Sequence, residues 1–533
     1  MSSVATERGR SGILTRLGML AAAALCGWCL DLASPDTAIW PLGIFAAMVF
    51  SALLLAARPL FGALIGFVFA LAFWLPHISW LTLYLGPVPW LALASVMVLW
   101  ATLFGALVPF LTRVTLRCYR SRGARTVVIT LLLAGSWVLR ELLQAAVPYG
   151  GFSWGRFAAT QVNSPFIEAV SWFGIAGFTG VFLFLVLLPV SWVYLVFVVD
   201  PPLTRSFFAP ACSLLGVLAL ALVPLYTTPK TGEITIAGVQ GNSKSGIFDD
   251  RENGSVFADH LAASKTLLEG EETKLDLIVW PENAAEFNID ESPLHRQRLV
   301  KLAEQADAPI LVGSVLADPV NGSDKPRYTN SALLFNTDGK TLVRYDKINP
   351  VPFAEYMPHR EFYRALAPEL VDLVALDYSH GQTPAVAEHR GTRLGIGICF
   401  DITFDRHAEL LGSDNAELIL ALTNNADFGK TDESAQQLAL TKLQGIALGR
   451  SVVNISTVGM SQILDPSGHS LVAIPAHQAG TIVASVPIHS EKTAATQFGA
   501  LLSALWCAAV CAPLINFRFY QVRFKQHNLK EKH

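Results

Sequence analysis

The chain has 533 residues, of which 52% are hydrophobic and only 15% are charged. A typical soluble domain carries about 25% charged residues, so this composition excludes an ordinary soluble protein, and the length suits two or three domains. The formal net charge is −3. Without a broad basic patch, nucleic acid is excluded as a partner.

The charged residues are distributed unevenly along the chain. Residues 1–230 contain 19 charged side chains, 13 basic and 6 acidic, whereas the remaining 303 residues contain 62. Because charge is costly in lipid and favourable in water, this contrast predicts a membrane domain followed by a water-solvated domain.

Apolar stretches in the first part are long enough for membrane-spanning helices, each of which needs roughly 20 apolar residues. We predict seven N-terminal spans and an eighth near the C-terminus, at about 13–33, 37–57, 59–80, 88–112, 126–147, 170–199, 207–227 and 497–516. The predicted domains are therefore a membrane domain over 1–227, a polar domain over 228–494, and a final span with a basic tail over 495–533. The first span is interpreted as an uncleaved anchor because further spans follow at once, with a cleaved signal peptide as the alternative.

Basic residues cluster in alternate short loops. Arginines precede the first span, and the loops on the same side contain Arg58, five arginines from Arg113 to Arg125, and Arg205. The tail after the last span is also basic from Arg518 onward. The intervening loops are nearly free of basic residues, with Arg156 as the exception. The positive-inside rule then predicts a multi-pass membrane protein with both termini in the cytoplasm. The polar domain would face the outside.

The polar domain shows short apolar runs that alternate with helical segments, a pattern typical of α/β proteins. Strands are predicted at 233–240, 275–280, 309–314, 331–336, 340–347, 393–400 and 417–423, and helices at about 255–269 and 433–450. Residues 454–464 and 469–475 are predicted to form a hairpin around the turn at 465–468.

A carboxylate, an amine and a thiol each follow one of these apolar strands. Glu282 follows LIVW and Pro281, Lys347 ends TLVRYDK, and Cys399 ends LGIGIC. Together they predict a cysteine nucleophile, with Glu282 as proton acceptor and Lys347 as positive charge for the thiolate and the oxyanion. Taken one by one, they equally fit an inert core cysteine, a turn carboxylate and a surface lysine.

Two further features follow from the cysteines and histidines. Cys399 is the one cysteine of the polar domain, so that domain cannot contain an internal disulfide. No spacing of cysteines or histidines matches a zinc motif, and we expect no metal site.

Several motifs around these residues resemble the nitrilase superfamily, and within it the bacterial apolipoprotein N-acyltransferase family. They are VQGN (239–242), WPEN (280–283), YDKINPVPFAEYMP (345–358), GICFD (397–401), NNADFG (424–429), GIALGR (445–450) and STVGMSQILDPSG (456–468). In the membrane part, RELLQAAVPYGGFSWG (140–155) resembles the family's loop after the fifth span. The aromatic residues Phe152, Trp154 and Phe157 would suit the membrane interface, as an aromatic belt or as substrate contacts.

The resemblance implies a membrane domain joined to a four-layer α-β-β-α sandwich. It implies that an acyl chain passes from a phospholipid donor through a Cys399 thioester to the α-amino group of the diacylglyceryl-modified N-terminal cysteine of a lipoprotein. It also implies a place in the bacterial cell membrane, surrounded by membrane lipids, and no need for a cofactor. Cys399 would be the nucleophile, Glu282 the base and Lys347 the oxyanion-side cation, supported by Glu355, Phe400 and Asp401.

Three positions depart from the family's pattern. Asp401 stands where the family usually has Glu, Asn425 where it has Asp, and Asp427 where it has Trp. Asn425, Asp427 and Phe428 are candidate substrate-pocket residues, so these changes bear on efficiency or on the acceptor. Two alternatives stay open, namely a membrane-tethered nitrilase-type amidase and a catalytically inactive membrane scaffold with a nitrilase-like binding domain.

Overall fold

The computed structural model of the chain describes residues 2–199, 208–246, 249–269, 274–322, 326–374 and 376–515. The chain divides into two compact units. The first unit comprises Met1–Thr82, Gly86–Pro224 and the chain from Phe498 onward, and the second comprises Leu83–Leu85 and Leu225–Gln497. The domain limits predicted at 227 and 494 stay a prediction.

Apolar helices build the first unit. In chain order they are α1 (Ser2–Ala33), α2 (Trp40–Ala56), α3 (Pro59–His77), α4 (Leu81–Leu85), α5 (Pro87–Cys118), α6 (Arg122–Gln144), α7 (Val170–Tyr194) and α8 (Phe208–Ala221), and the last three residues of α4 belong to the second unit. Proline opens α3 and α5, where its missing N–H would have no intrahelical partner in any case. α7 is interrupted at Gly174, which has a φ of 70°, and a π-helical turn, Leu195–Val199, follows it.

Five helices of the described residues are long and apolar enough to cross a membrane. They are Gly12–Ala33, Pro59–His77, Pro87–Cys118, Arg122–Gln144 and Ile167–Val199, and they correspond to the first, third, fourth, fifth and sixth predicted spans. The other three predicted spans fall on shorter apolar helices, Trp40–Ala56, Phe208–Ala221 and Ala494–Ala509. The total of eight spans stays a prediction, and both Arg205 and the basic tail lie outside the described residues.

Small residues allow α3 and α5 to approach closely. A Cβ atom at Gly62 would lie 2.2 Å from the carbonyl oxygen of Gly105, and one at Gly66 would lie 2.4 Å from that of Ala101. The two helices therefore meet through a four-residue spacing of small side chains on each, which is a common way for membrane helices to pack by van der Waals contact.

The aromatic residues after α6 lie inside the first unit. Phe152, Trp154 and Phe157 are all buried, and the rings of Phe152 and Trp154 stack with centroids 5.0 Å apart. The buried side chains of α6 hold this loop, since Gln144 Nε2 donates to the carbonyl of Trp154 (2.8 Å) and Glu141 accepts from the amide of Phe157 (2.9 Å). The polar contacts of α6 hold the three rings inside the unit, and their expected place at the level of the membrane interface stays a prediction.

In the part of the chain that the structure describes, the second unit contains twelve strands. They are β1 (Lys230–Gln240), β2 (Leu277–Val279), β3 (Ile310–Asp318), β4 (Arg327–Phe335), β5 (Thr341–Asp346), β6 (Val386–His389), β7 (Thr392–Ile398), β8 (Leu418–Thr423), β9 (Ser451–Ser456), β10 (Ser461–Leu464), β11 (Ser470–Ile474) and β12 (Gly480–His489). One sheet has the order β12-β1-β2-β3-β4-β5, and the other has the order β11-β10-β9-β8-β7-β6.

The remaining helices lie between or after the strands of the second unit. They are α9 (Ser255–Ser264), α10 (Thr266–Glu269), α11 (Pro293–Gln305), α12 (Arg360–Leu366), α13 (Pro368–Leu373), α14 (Asp405–Ser413), α15 (Glu433–Leu448) and α16 (Ala494–Ala509), of which the last continues into the first unit.

A continuous apolar core lies between the two sheets. It joins Ile236 and Val279 of the first sheet to Ile396 and Leu420 of the second. The other face of the first sheet packs on α9 and α11 through residues such as Phe257, while α14 and α15 pack on the second sheet. The burial of each sheet on both faces explains its nearly continuous apolar strands. The predicted α-β-β-α sandwich is confirmed.

Several strand predictions differ from the structure in their limits, and at two places the backbone turns within the predicted run. The strand predicted to reach residue 400 ends at Ile398, because the backbone turns at Cys399. The run 454–464 is not one strand but the antiparallel pair β9 and β10, and the turn at 465–468 then joins β10 to β11. β6 and β12 were not predicted, since short or partly exposed strands lack a strong apolar pattern.

Candidate active site

Cys399 lies at the point where β7 turns into a short 3₁₀ helix, Cys399–Thr403. Its φ is +49°, a left-handed conformation that is uncommon for residues other than glycine. β7 lies between β6 and β8 and runs parallel to β8, so the turn places the thiol at the carboxyl edge of buried strands. Such strained positions are frequent at functional sites because the surrounding contacts must enforce them.

Asp401 fixes this turn from within the core. Its carboxylate accepts the hydroxyl of Tyr345 (2.6 Å), the backbone amide and side-chain amide of Asn349 (both 2.8 Å), and the backbone amide of Ile398 (3.3 Å). The shorter Asp side chain at this position therefore makes a complete set of hydrogen bonds. Phe400 is buried beside it and packs edge-to-face on Phe404, with ring centroids 4.7 Å apart.

Three side chains from the other sheet meet in a buried polar cluster. Lys347, directly after β5, places Nζ 3.1 Å from Oε1 of Glu282, which follows β2, and 2.9 Å from Oε2 of Glu355. Asn330 of β4 donates its Nδ2 to both carboxylates, at 2.7 Å and 2.9 Å. The backbone amide of Val351 donates to Glu355 at 2.6 Å. Each oxygen of Glu355 therefore has a donor, and the ammonium group is held between two acids.

Burial and charge act in opposite directions on this cluster. Burial lowers the pKa of Lys347, but Glu282 and Glu355 outweigh it, so the pKa stays well above its ordinary value and the lysine carries its charge. Burial raises the pKa of Glu282, and Lys347 offsets only part of this effect. A carboxylate of raised pKa is a stronger base than a solvated one, which suits it to accept a proton.

The charged groups of this cluster also change the pKa of the Cys399 thiol. Burial raises its pKa well above the ordinary value, Glu282 raises it further, and Lys347 works in the opposite direction. The residue as a whole is partly exposed to solvent. The resting thiol is therefore protonated, and a nucleophilic thiolate forms only when a base removes the proton.

The candidate pocket residues lie in two different environments. Asp427 and Phe428 belong to a 3₁₀ turn, Ala426–Phe428, and are half-buried. The ring of Phe428 packs near that of Tyr84, at 6.4 Å between centroids. Asn425 is instead buried, where its Nδ2 donates to Glu433 (2.7 Å) and to Gln437 (2.8 Å).

Gln437 and Glu433 are side chains that the sequence did not single out. Gln437, on α15, donates its Nε2 to the sulfur of Cys399 at 3.3 Å. Glu433, one turn earlier, is buried, and burial raises its pKa to about 8 although the hydrogen bond from Asn425 works against this. Both follow the NNADFG motif closely in sequence, but only the folded contacts show which of the polar residues of α15 reach the thiol.

The same unit contains no group of three or more His, Cys, Asp or Glu side chains that could hold a metal ion, as far as the structure describes it. The groups that converge are a thiol, a carboxylate of raised pKa, a charged lysine and amide donors. Such a set can carry out acyl transfer through a covalent cysteine intermediate.

Comparison with known proteins identifies related domains in both parts of the chain. The carbon-nitrogen hydrolase family matches residues 235–497, and the apolipoprotein N-acyltransferase N-terminal domain matches residues 26–188. An amidase from Nesterenkonia sp. aligns with 52% of this chain and 99% of its own, at 16% identity and with a TM-score of 0.38.

Full-length relatives match along nearly the whole chain. The apolipoprotein N-acyltransferase of Geobacter metallireducens is 28% identical over 92% of this chain and 94% of its own. That of Mycolicibacterium smegmatis is 30% identical over 99% of this chain and 89% of its own. With both domain matches in the same order, this similarity shows that the chain belongs to the apolipoprotein N-acyltransferase family.

Proposed function

We propose that the protein transfers an acyl chain from a phospholipid to the α-amino group of the diacylglyceryl-modified N-terminal cysteine of lipoproteins, through a thioester on Cys399. The observation that carries this proposal is the geometry of the second unit. A strained cysteine at a strand end couples there to Glu282 and Lys347, in a chain of this family. The names of the relatives support transfer to nitrogen.

In the first half-reaction, Glu282 accepts the thiol proton of Cys399. This transfer leaves the net charge of the buried cluster unchanged, so it avoids the cost of creating a new charge away from water. The thiolate attacks the ester carbonyl of the phospholipid and a C–S bond forms, while Lys347 stabilises the developing oxyanion. The C–O bond then breaks, and Glu282 returns the proton to the departing glycerol oxygen.

In the second half-reaction, the amino group of the lipoprotein attacks the thioester. A C–N bond forms, the C–S bond breaks, and Glu282 takes a proton from the attacking nitrogen and returns it to the sulfur. The net change converts an ester and an amine into an amide and an alcohol. This exchange is favourable, because an amide is more stable than an ester, so no nucleotide is consumed.

The experiment compares the wild type with the Cys399→Ala variant in two assays. Mass spectrometry of lipoprotein N-termini from cells measures N-acylation, and a phospholipid with a labelled sn-1 chain measures the thioester on the purified protein. We expect Cys399→Ala to be folded and inserted but to give neither product, a loss of at least about a thousandfold, since covalent catalysis requires the nucleophile.

The matched control is Cys118→Ala, which removes a thiol of the first unit and should retain full activity. Normal N-acylation by Cys399→Ala would refute the mechanism. Release of free fatty acid from the wild type in place of an N-acylated peptide would favour the amidase. Failure of the wild type to form any thioester would favour the scaffold.

A further inference from the structure

A line of hydrogen bonds runs from the backbone of the second unit to the sulfur of Cys399. It passes through Ser456 at the end of β9, Asn425 after β8, and Gln437 on α15. We call these three side chains the amide relay. All three are buried, so water does not compete for their hydrogen bonds.

The first step of the relay fixes which way Asn425 points. The backbone amide of Gly459 donates to Oγ of Ser456 at 2.8 Å, and a backbone amide can only donate. The hydroxyl proton of Ser456 is therefore free to donate onward, and it does so to Oδ1 of Asn425 at 2.6 Å. Since the oxygen of Asn425 faces Ser456, its nitrogen must face α15.

The second step fixes which way Gln437 points. Nδ2 of Asn425 donates to Oε1 of Gln437 at 2.8 Å, so the oxygen of that glutamine is turned away from Cys399. Its Nε2 then faces the sulfur at 3.3 Å. If the amide were reversed, an oxygen would meet the sulfur and repel a thiolate, so the orientation decides the sign of the interaction.

We infer that Gln437 is a further catalytic residue that stabilises the Cys399 thiolate by a hydrogen bond, and that Asn425 and Ser456 are positioning residues that keep its nitrogen toward the sulfur. This inference rests on the proposed function, because it assigns a role in forming the nucleophile. A hydrogen bond to the charged form of an acid favours that form. The hydrogen bond from Gln437 adds to the electrostatic effect of Lys347. Gln437 reaches the thiol from α15, whereas Lys347 follows a strand of the other sheet.

The inference is tested by alkylation of Cys399 with iodoacetamide across a pH series, measured by peptide mass spectrometry on the purified full chain. In Gln437→Met, which keeps the length of the side chain but loses the donor, we expect the midpoint of the alkylation profile to rise by about one pH unit. Alkylation below the midpoint then slows about tenfold. The matched control is Gln444→Leu, a buried glutamine of the same helix that donates to Asp405. It should leave the midpoint unchanged.

The smaller variant Ser456→Ala tests the relay itself and removes only one hydroxyl group. It should raise the midpoint in the wild-type background, because Oδ1 of Asn425 loses its shorter hydrogen bond (2.6 Å) and keeps only the one from Thr423 (3.4 Å). It should have no further effect in the Gln437→Met background, where there is no amide left to orient. A structural role of Ser456 would affect both backgrounds equally.

Unchanged midpoints in folded Gln437→Met and Ser456→Ala would overturn the inference. If Gln437→Met does not fold, the Ser456→Ala profile decides alone. Alkylation needs no acyl donor, so the result of this test does not depend on whether the protein transfers an acyl chain. If the midpoint shifts but the wild type transfers no acyl chain, the amide relay is supported and the proposed function is rejected. If the midpoints do not shift but the wild type is active, the proposed function stands and the relay is rejected.

Discussion

Glu433 is a buried acid at the start of α15 whose pKa is raised, mainly by burial, from 4.5 to about 8. An acid of raised pKa binds its proton more tightly in the folded state than in the unfolded state. Between pH 4.5 and 8 folding therefore takes up a proton, and stability falls as the pH rises. Below this window Glu433 is protonated in both the folded and the unfolded state, and above it Glu433 is ionised in both. The loss of stability caused by its ionisation, here called the penalty, is therefore absent at low pH and constant at high pH.

The variant Glu433→Gln should remove this penalty, because the new amide oxygen can still accept from Asn425. We expect it to match the wild type in melting temperature near pH 4.5 and to exceed it progressively up to pH 8, by at most about 1.4 kcal/mol of stability per pH unit. Thermal melts of the detergent-solubilised protein measure the difference. Ser434→Ala changes the same helix end without an ionisable group, so its offset should not vary with pH. An equally flat offset for Glu433→Gln would show that Glu433 does not titrate in this range.

The positions of Cys399, Glu282 and Lys347 after apolar strands singled them out, and the resemblance to a known family supported them and added Glu355. Their roles stay predictions. The structure brings the two acids and the lysine within hydrogen-bond distance of one another. The sequence could not show the contact of Gln437 with the thiol, since several polar residues of α15 are equally suitable by spacing. The contact depends on how the ends of β7 and β8 meet that helix, which is a tertiary property.

Gly313 of β3 allows the segment that carries Glu282 to approach the sheet. A Cβ atom at this position would lie 2.4 Å from the carbonyl oxygen of Pro281 and 2.7 Å from Cα of Glu282. Hydrogen bonds between Gly313 and this segment, from its amide to Pro281 (3.2 Å) and from the amide of Ala285 to its carbonyl (2.9 Å), hold the two together. The position of the base therefore depends on a glycine one strand away.

We expect Gly313→Ala to displace Glu282, lower stability by about 1–3 kcal/mol, and reduce thioester formation by at least tenfold. The control is Gly232→Ala in β1, where an added Cβ would meet its nearest neighbour, the Ile488 side chain, at an ordinary 4.0 Å. Thermal melts and the labelled-phospholipid assay measure both effects. Wild-type activity in Gly313→Ala would mean that the segment after β2 can shift without moving the carboxylate out of place.

The elements with a strong apolar pattern were predicted best. β1, β3 and β8 each lie within a few residues of the predicted limits, because strands buried on both faces produce clear apolar runs in the sequence. α15 also begins at the predicted residue. The sequence pattern did not predict strands that are short and only partly buried, such as β6. It also did not reveal a turn inside a run of similar residues, as between β9 and β10. At 454–464 the turn residues Val458 and Gly459 lie in an otherwise strand-like run.

At the scale of the whole molecule, the proposed function requires the thiol to be on the outer face of the membrane. The acceptor amino groups of mature lipoproteins are exposed there, and a thioester formed in the cytoplasm could not meet them. The arginine distribution of the loops predicts this orientation by the positive-inside rule, with both termini inside and the second unit outside. The number of spans between the N-terminus and Leu225 must then be odd.

Limited trypsin digestion of intact spheroplasts tests the orientation. Lys340 is exposed in the turn between β4 and β5, so cleavage there should occur from outside without lysis. A reporter fused after His533 should in turn show cytoplasmic activity, and a cytoplasmic protein in the same sample controls for leakage. If the second unit were cut only after lysis, the orientation would be inverted. The enzyme would then have no access to its acceptor, and acyl transfer to lipoproteins would have to be abandoned even if Cys399 formed a thioester.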